Sequence, residues 1–421
     1  MTARTYTGLG ASLNAHGRYS EAARDLRRAL DVYDRLASAE GDVAKNRLYR
    51  SDTARVLYQL GTADRGRGHF TDAESSFRRA CETYEQLNAE APEVLTYRGN
   101  LARTYHDLGS LYRLLGRPAD AEAWHRRAVG LYEQVVIQNP TVAEYHMGLG
   151  WARYKLGCHE FAVGDRGRTE QDWTTAAAEF SAAADLGFGV AGAYKAFGDA
   201  QAMLGHWEQA ANAYGRVAEA YHFAAVPTLQ WALLQLAAGD EQGYGAACAR
   251  LVNEFGASAS GSLALSIVMT CVAGNPPANT SSEALRLAQR VLGTNLGNPV
   301  GQVFLAAAQY RAGETREAIA AIEAALPKLA LAELAAPTKR DFVRLARLAG
   351  ETILVLSYEQ LRDQDALARQ LGVLRATIDA ISARPPQYSD GTNEWTVPLA
   401  LHIARRELER LESQTDSPEV K

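Results

Sequence analysis

Three patterns in this sequence combine residue types that could bind a cofactor, a metal ion or a charged ligand. The first is GFGVAG, in which Gly187, Gly189 and Gly192 match the GxGxxG spacing of dinucleotide-binding loops. That spacing binds a pyrophosphate only where a strand ends and a helix begins. Here the helical pattern AAEFSAAADL precedes the glycines, so we interpret them as a turn between helices and predict no cofactor.

The second pattern is a cluster of potential metal ligands, Cys158, His159, Glu160 and Asp165. A zinc site needs about four ligands in tetrahedral geometry, usually with paired cysteines or histidines. One adjacent Cys-His pair cannot supply that geometry. We therefore predict a solvated loop and no metal site.

The third pattern is a set of basic and aromatic residues that recur in neighbouring segments. Arg55 and Arg65 are repeated at equivalent positions by Arg103 and Arg113. Arginine forms two parallel hydrogen bonds with a carboxylate, so such a stripe would suit an acidic peptide or a terminal carboxylate. Pairing with nearby acids explains these arginines equally well, and both interpretations stay open. The candidate partner-binding residues are Arg55, Tyr58, Arg65, Arg103, His106, Arg113, Trp151, Tyr154, Lys155 and Lys195.

The candidate residues lie in segments that repeat one pattern. LGASLNAHGRYSEAARDLRRAL, LGTADRGRGHFTDAESSFRRAC and LGSLYRLLGRPADAEAWHRRAV each carry Leu-Gly, then a glycine and an alanine at fixed spacing. Small residues allow two helices to cross closely, large apolar residues fill the gap to the next helix, and glycine permits the turn. The repeat therefore predicts pairs of antiparallel helices that stack into an all-α solenoid.

The recurring Trp/Tyr-Leu-Gly-Tyr-Ala-Phe-Ala scheme is similar to that of tetratricopeptide repeats (TPRs). The resemblance implies a right-handed α-solenoid of TPR helix pairs, whose first helices line a concave groove. The candidate residues would then meet a protein or peptide partner in that groove, and their basic side chains would suit an acidic one. The Asn-containing carboxylate clamp of chaperone-binding TPR proteins is missing, because its positions hold Gln59, Thr62, Asp107 and Ser110.

The spacing of the repeats predicts how the chain is organised. The Leu-Gly pairs at Gly10, Gly61 and Gly109 lie farther apart than the roughly 34 residues usual for the family, so the second helices should be extended. We predict a regular TPR array of about five units over residues 1–222, with a loop inserted near 158–171. Residues 223–412 read as a degenerate TPR-like helical region and 413–421 as a disordered tail.

Composition narrows the function class. The chain has 421 residues and a net charge of −5, which gives no general attraction to nucleic acid or anionic membrane. The four cysteines are scattered, and neither a signal peptide nor a membrane span is evident, so we expect a cytoplasmic protein. No histidine is paired with a plausible nucleophile and an orienting acid, so we predict no catalytic residue.

A second resemblance covers the less regular half. AAGDEQGYGAACARLVNEFG, YRAGETREAIAAIEAAL and ARRELERL resemble the TPR-rich C-terminal regions of large bacterial serine/threonine kinases. The motifs that kinase catalysis requires are absent from this sequence. We therefore expect a non-catalytic scaffold that binds a protein in the groove. The alternative is a regulatory or sensor arm of a kinase system whose catalytic domain is absent from this chain.

Overall fold

A computed structural model of the chain describes residues 2–221, 224–292, 298–335, 340–383 and 396–415. Within these ranges the regular secondary structure is helical and contains no strand. Contacts divide the chain into two compact units, Met1–Ala193 and Tyr194–Lys421. The division falls 29 residues before the boundary that the sequence pattern suggested at 222.

The first unit consists of four helical hairpins. Their helices are α1 (Ala3–Ala15), α2 (Tyr19–Ala39), α3 (Val43–Gly66), α4 (Phe70–Glu90), α5 (Leu95–Leu114), α6 (Pro118–Gln138), α7 (Ala143–Val163) and α8 (Arg166–Asp185). The second helices α2 and α4 have 21 residues each, as the long repeat spacing predicts. The first helix α3 is also long, at 24 residues, so both arms of a hairpin account for the spacing.

A glycine on each first helix explains how the hairpins close. A Cβ atom at Gly61 would lie 2.8 Å from the ring of Phe77 on the second helix, so only glycine fits at this crossing. The next glycine in the repeat, Gly68, ends the helix with a φ of +77°, which favours glycine over other residues. Equivalent crossings join Gly10 to Leu26 and Gly109 to His125.

The fourth hairpin corrects the predicted loop near 158–171. Gly157 lies inside α7 and crosses Trp173 of α8, and the turn is made instead by Gly164, with a φ of +84°. Gly150 meets Phe180, which is 30 residues later, whereas Gly61 meets Phe77 after only 16. The extra residues therefore lengthen both helices by about two turns each. The prediction of a solvated loop was wrong because Gly157 serves as a crossing residue rather than a turn.

The first helices of this unit pack side by side, since α1 contacts α3, α3 contacts α5 and α5 contacts α7. Each second helix packs mainly against the first helices on either side of it. The first helices therefore share one surface, which we call the first-helix face and which carries Tyr58, Arg65, Arg103 and Asp107.

The second unit continues the hairpin pattern. Its helices are α9 (Val190–Met203, which begins in the first unit), α10 (Trp207–Ala220), α11 (Ala225–Ala238), α12 (Glu241–Arg250, followed by a π-helical segment Leu251–Gly256), α13 (Gly261–Val272), α14 (Ala278–Leu292), α15 (Pro299–Arg311), α16 (Thr315–Ala335), α17 (Arg340–Leu361), α18 (Gln364–Ser382) and α19 (Thr396–Thr415). None of the described helices combines the length and the apolar character that a membrane crossing requires.

The last helix, α19, packs against α11, α17 and α18. Arg406 donates a hydrogen bond to the carbonyl oxygen of Leu236 at 3.0 Å, and His402 lies 3.2 Å from that of Ala237. Helix α19 thus bridges parts of the unit that are far apart in sequence. Its helical residues 413–415 correct the predicted disordered tail at its start, and residues 416–421 lie outside the described residues.

Candidate functional site

The centre of the first-helix face is a carboxylate that links two hairpins. Asp107 on α5 accepts a hydrogen bond from the Tyr58 hydroxyl at 2.6 Å and forms an ion pair with Arg65 at 3.0 Å. Tyr58 and Arg65 lie two turns apart on α3, so both reach the same acid on the next first helix. Arg65 is therefore already occupied by an internal carboxylate.

Electrostatics keeps this carboxylate ionised. Burial opposes the charge on Asp107, but Arg65, His106 and the Tyr58 hydroxyl outweigh it and lower the pKa of Asp107 below its usual value. Burial, with a further contribution from Asp107, raises the pKa of the Tyr58 hydroxyl well above its usual value. Tyr58 therefore remains a hydrogen-bond donor to an anionic partner at neutral pH.

Arg103 occupies a different position in the same cluster. It lies one turn before Asp107, and its guanidinium stands 4.5 Å from the centroid of the Tyr58 ring. The guanidinium also donates a hydrogen bond to the Asn100 side chain at 3.2 Å. No carboxylate of the described residues forms an ion pair with it, and the side chain is exposed. A cation held over an aromatic face in this way can accept an anion from solution.

The other predicted residues of α3 and α5 are partly engaged within the protein. Arg55 pairs with Asp52 at 2.5 Å, one turn earlier on α3. The ring of His106 lies 5.3 Å from that of His125, which is buried at the crossing of α5 and α6. Arg113 is half-buried near the end of α5. Arg55 thus follows the alternative interpretation, in which the arginines pair with acids of the protein itself.

The predicted residues of α7 are more buried than a groove surface requires. Tyr154 is buried, with 3% of its surface exposed, which corrects the expectation that it lines an open groove. Trp151 is half-buried, with its edge against Tyr154 and Phe180. Lys155 lies over the Tyr154 ring at 5.5 Å. The helix turns Tyr154 toward α8, where its carbonyl oxygen accepts a hydrogen bond from the Trp173 indole.

Lys195 belongs to the second unit, so it is described apart from the other candidates. Its ammonium group pairs with Asp199 at 2.7 Å, and Asp199 also accepts a hydrogen bond from the buried Tyr214 hydroxyl at 2.5 Å. The lysine therefore neutralises a buried acid one turn away.

The glycine pattern and the proposed metal cluster also have structural positions. Gly187 and Gly189 both have positive φ between α8 and α9, and no strand precedes them in the described chain. They form the turn between helices that the sequence favoured. Cys158 is buried in α7, while His159 pairs with Glu122 at 2.8 Å.

Glu160 has an unusual environment at the lengthened hairpin. It is 3% exposed and lies near Asp172 of α8, while Arg126 of α6 approaches it at 3.2 Å. Burial and the neighbouring Asp172 together raise the pKa of Glu160 to about 7. Arg153 holds Asp172 at 2.6 Å, so the two acids have separate cationic neighbours.

Sequence reasoning missed one further cluster and the role of Asp107. Asp64, His69 and Asp72 bring three possible ligand atoms within 4.8 Å of one another. Asp64 already pairs with Arg67 at 2.8 Å and with Arg27 at 3.4 Å, so its charge is compensated without a cation. Asp107 was visible only as an acid one turn after Arg103, and nothing in the sequence connects it to α3.

Comparison with known proteins adds a family to these observations. The family model described as "Tetratricopeptide repeat" matches residues 2–40, 53–90 and 101–136, so these segments are tetratricopeptide repeats. The matches fall on α1–α2, on most of α3–α4 and on α5–α6. A search of curated proteins found no match to this chain.

Several solved structures are similar to the chain. BtubC from P. vanneervenii is 17% identical over 56% of this chain and 90% of its own, with a TM-score of 0.42. A thermophilic TPR protein from Thermus thermophilus is 19% identical over 56% of this chain and 100% of its own, with a TM-score of 0.38. Yeast Tom70 is 13% identical over 98% of this chain and 97% of its own, with a TM-score of 0.32.

Proposed function

Because residues 2–136 carry three tetratricopeptide repeats, a module of protein–protein interaction scaffolds, we propose that the first-helix face binds a protein or peptide partner. Repeat arrays of this kind offer extended surfaces to their partners and seldom carry out chemistry. The partner would present a carboxylate, from an acidic side chain or a chain terminus. The chain itself would act without catalysing a reaction.

The observation that carries this proposal is the position of Arg103. It is exposed on the face shared by the first helices, and the Tyr58 ring supports it from below. Arg65 and Asp107 neutralise one another beside it, so the local surface keeps a positive charge at Arg103. A carboxylate could form two parallel hydrogen bonds with this guanidinium while Tyr58 and Asp107 hold the two helices in register.

A capture experiment tests the proposal. A photoreactive residue placed at Arg103 or at Arg79, an exposed position on the second helix α4, would be used to cross-link binding proteins for mass spectrometry. We expect a partner that cross-links at position 103 and not at 79. Arg103→Ala should then weaken binding about tenfold, as expected for one charge-assisted hydrogen bond, and Arg79→Ala should leave it unchanged.

Salt dependence separates a specific contact from general charge attraction. Binding through the partly exposed Arg103 should weaken as ionic strength rises, because charges are screened beyond about 10 Å at 0.1 M salt. Equal losses from Arg103→Ala and Arg79→Ala would contradict the proposal. So would a partner that binds the Arg103→Ala protein normally.

The absence of catalysis and the kinase alternative have their own test. The purified chain should neither bind ATP at micromolar concentration nor phosphorylate a generic substrate. ATP binding that is lost on substitution of Gly187 and Gly189 would overturn the interpretation of those glycines as a turn. A captured partner that is itself a serine/threonine kinase would favour the regulatory-arm alternative over a general scaffold.

A further inference from the structure

The second unit contains a cavity of about 510 Å³. It lies among the first helices α11, α13, α15 and α17, and α19 forms the remaining wall. Pockets that bind small molecules commonly have volumes of about 300–1,000 Å³. This cavity therefore has room for a small organic ligand.

The walls of the cavity are mostly apolar. Each of the five helices contributes aliphatic, aromatic or thioether side chains, including Leu229, Met269, Phe304, Leu348, Leu399 and Ile403. Four of these residues are buried, with at most 7% of their surface exposed. Such walls favour an apolar ligand body, because its transfer from water is favourable at about 25 cal/mol per Å² of buried area.

One side chain of the wall carries a full positive charge. Arg311 ends α15, and its Nε atom donates a hydrogen bond to the carbonyl oxygen of Val272 at 3.2 Å. No carboxylate of the described residues forms an ion pair with Arg311, although Glu407 of α19 attracts it from a greater distance. Burial lowers the pKa of the guanidinium, which reflects the cost of a charge in apolar surroundings. A bound anion would offset that cost.

The hydrogen bond to Val272 offers a purely structural explanation for Arg311. A cation at the end of a helix is stabilised by the carbonyl oxygens there. Arg290 has the same kind of role, since it donates to the carbonyl oxygens of Gly256 and Ala259 at 2.6 and 3.1 Å. Arg290 is not among the residues that line the cavity, so the two arginines separate capping of a helix end from ligand binding.

We propose that this cavity binds a small aliphatic carboxylate, with its chain between α11, α15, α17 and α19 and its carboxylate on Arg311. The apolar walls would select for the chain, and the guanidinium would select for the acid over a neutral analogue. This site is independent of the first-helix face, because it lies wholly within the second unit.

Calorimetric titration of the full chain with decanoate and with decanol tests this proposal. We expect one decanoate to bind per chain, more tightly than decanol. Arg311→Gln should weaken decanoate binding at least tenfold and change decanol binding less than twofold. Arg290→Gln, which removes the comparable capping side chain, should change neither. Ala349→Leu, at a half-buried wall position, should weaken both by filling the cavity.

Two results would overturn the proposal. One is a lack of saturable decanoate binding by the full chain below the concentration at which decanoate aggregates. The other is an equal loss of decanoate and decanol binding in Arg311→Gln, which would assign Arg311 to packing. If circular dichroism shows that Arg311→Gln is unfolded, Arg311→Lys replaces it. Lysine keeps the charge, so it should preserve the preference for decanoate over decanol, and loss of that preference in the folded variant would also contradict the proposal.

Discussion

The two units use the same helical hairpin but place different side chains on the helices that precede each turn. In the first unit these helices carry Tyr58, Arg65, Arg103 and Asp107, which form a polar cluster between α3 and α5. In the second unit the equivalent helices are largely apolar and enclose a cavity against α19. Hairpin packing depends on the crossing positions, so the remaining positions of each first helix are free to differ in chemistry.

The units also differ in how completely their interiors are filled. Phe77 of the first unit is fully buried and contacts the crossing at Gly61. Phe304 of the second unit is 4% exposed but borders the cavity. A side chain that faces empty space on one side lacks partner atoms there and contributes less packing energy.

The largest expected effect tests this difference in packing. Phe77→Ala should lower the free energy of unfolding by about 3–5 kcal/mol. Phe304→Ala should cost roughly half as much, because part of its surface contacts no atoms. Urea unfolding followed by circular dichroism would give the two costs, and hydrogen exchange would assign them to the correct unit, since repeat arrays need not unfold in one step.

Equal costs for the two variants would contradict the comparison. They would mean that the wall of the cavity is as densely packed as the hairpin crossings of the first unit. A larger cost for Phe304→Ala would further imply that the second unit depends on this wall for its stability.

The next prediction concerns Glu160, which the lengthened fourth hairpin buries. Its native pKa of about 7 is above the ordinary value of 4.5, so native Glu160 binds more protons than the unfolded residue between these pH values. The free energy of unfolding should therefore fall as pH rises from about 4.5 to about 7. At about 1.4 kcal/mol per pKa unit, the loss is about 3 kcal/mol at most.

Glu160→Gln is the variant that isolates this effect, because glutamine has a similar shape and does not titrate. Urea unfolding of both proteins from pH 4 to pH 8 should show the stability of the wild type falling relative to the variant across that window. A difference that is independent of pH would show that Glu160 is ionised throughout. The neighbours that set this behaviour are Asp172, Arg126 and Arg168.

The sequence pattern predicted the hairpins because their crossings and turns are local. A glycine that meets a large side chain 16 residues later, as Gly61 meets Phe77, repeats at fixed spacing and can be recognised without a structure. The same rule failed at Gly157, where a glycine at the turn position of the repeat is a second crossing and the helix continues to Gly164. Local spacing alone cannot distinguish these two uses of glycine.

Contacts between distant segments were beyond that reasoning. The partner of Arg65 is Asp107, which is 42 residues away on the next hairpin. The hydrogen bond from Arg406 to Leu236 spans 170 residues and places α19 against the wall of the cavity. The repeat period predicts which helices are neighbours in order, whereas these contacts depend on the three-dimensional arrangement within each unit.

The smallest expected effect concerns one hydroxyl group in each unit. Tyr58→Phe removes the hydrogen bond to Asp107 and should lower the free energy of unfolding by about 1 kcal/mol, since the acceptor is ionised and partly buried. Tyr358→Phe removes the 2.7 Å bond to Glu323, which is exposed to solvent, and should cost roughly 0.5 kcal/mol or less. Urea unfolding measures both, and equal costs would contradict the view that the polar cluster is sheltered.

The same pair of variants sharpens the proposed function. Phenylalanine at position 58 keeps the aromatic ring beneath Arg103, so partner binding on the first-helix face should survive Tyr58→Phe even though stability falls. Tyr58→Ala removes the ring as well and should weaken binding further, because the guanidinium loses its support. If Tyr58→Phe abolished binding in a folded protein, the hydroxyl and its bond to Asp107 would belong to the partner site itself. Arg103 would then act as a secondary contact at its edge.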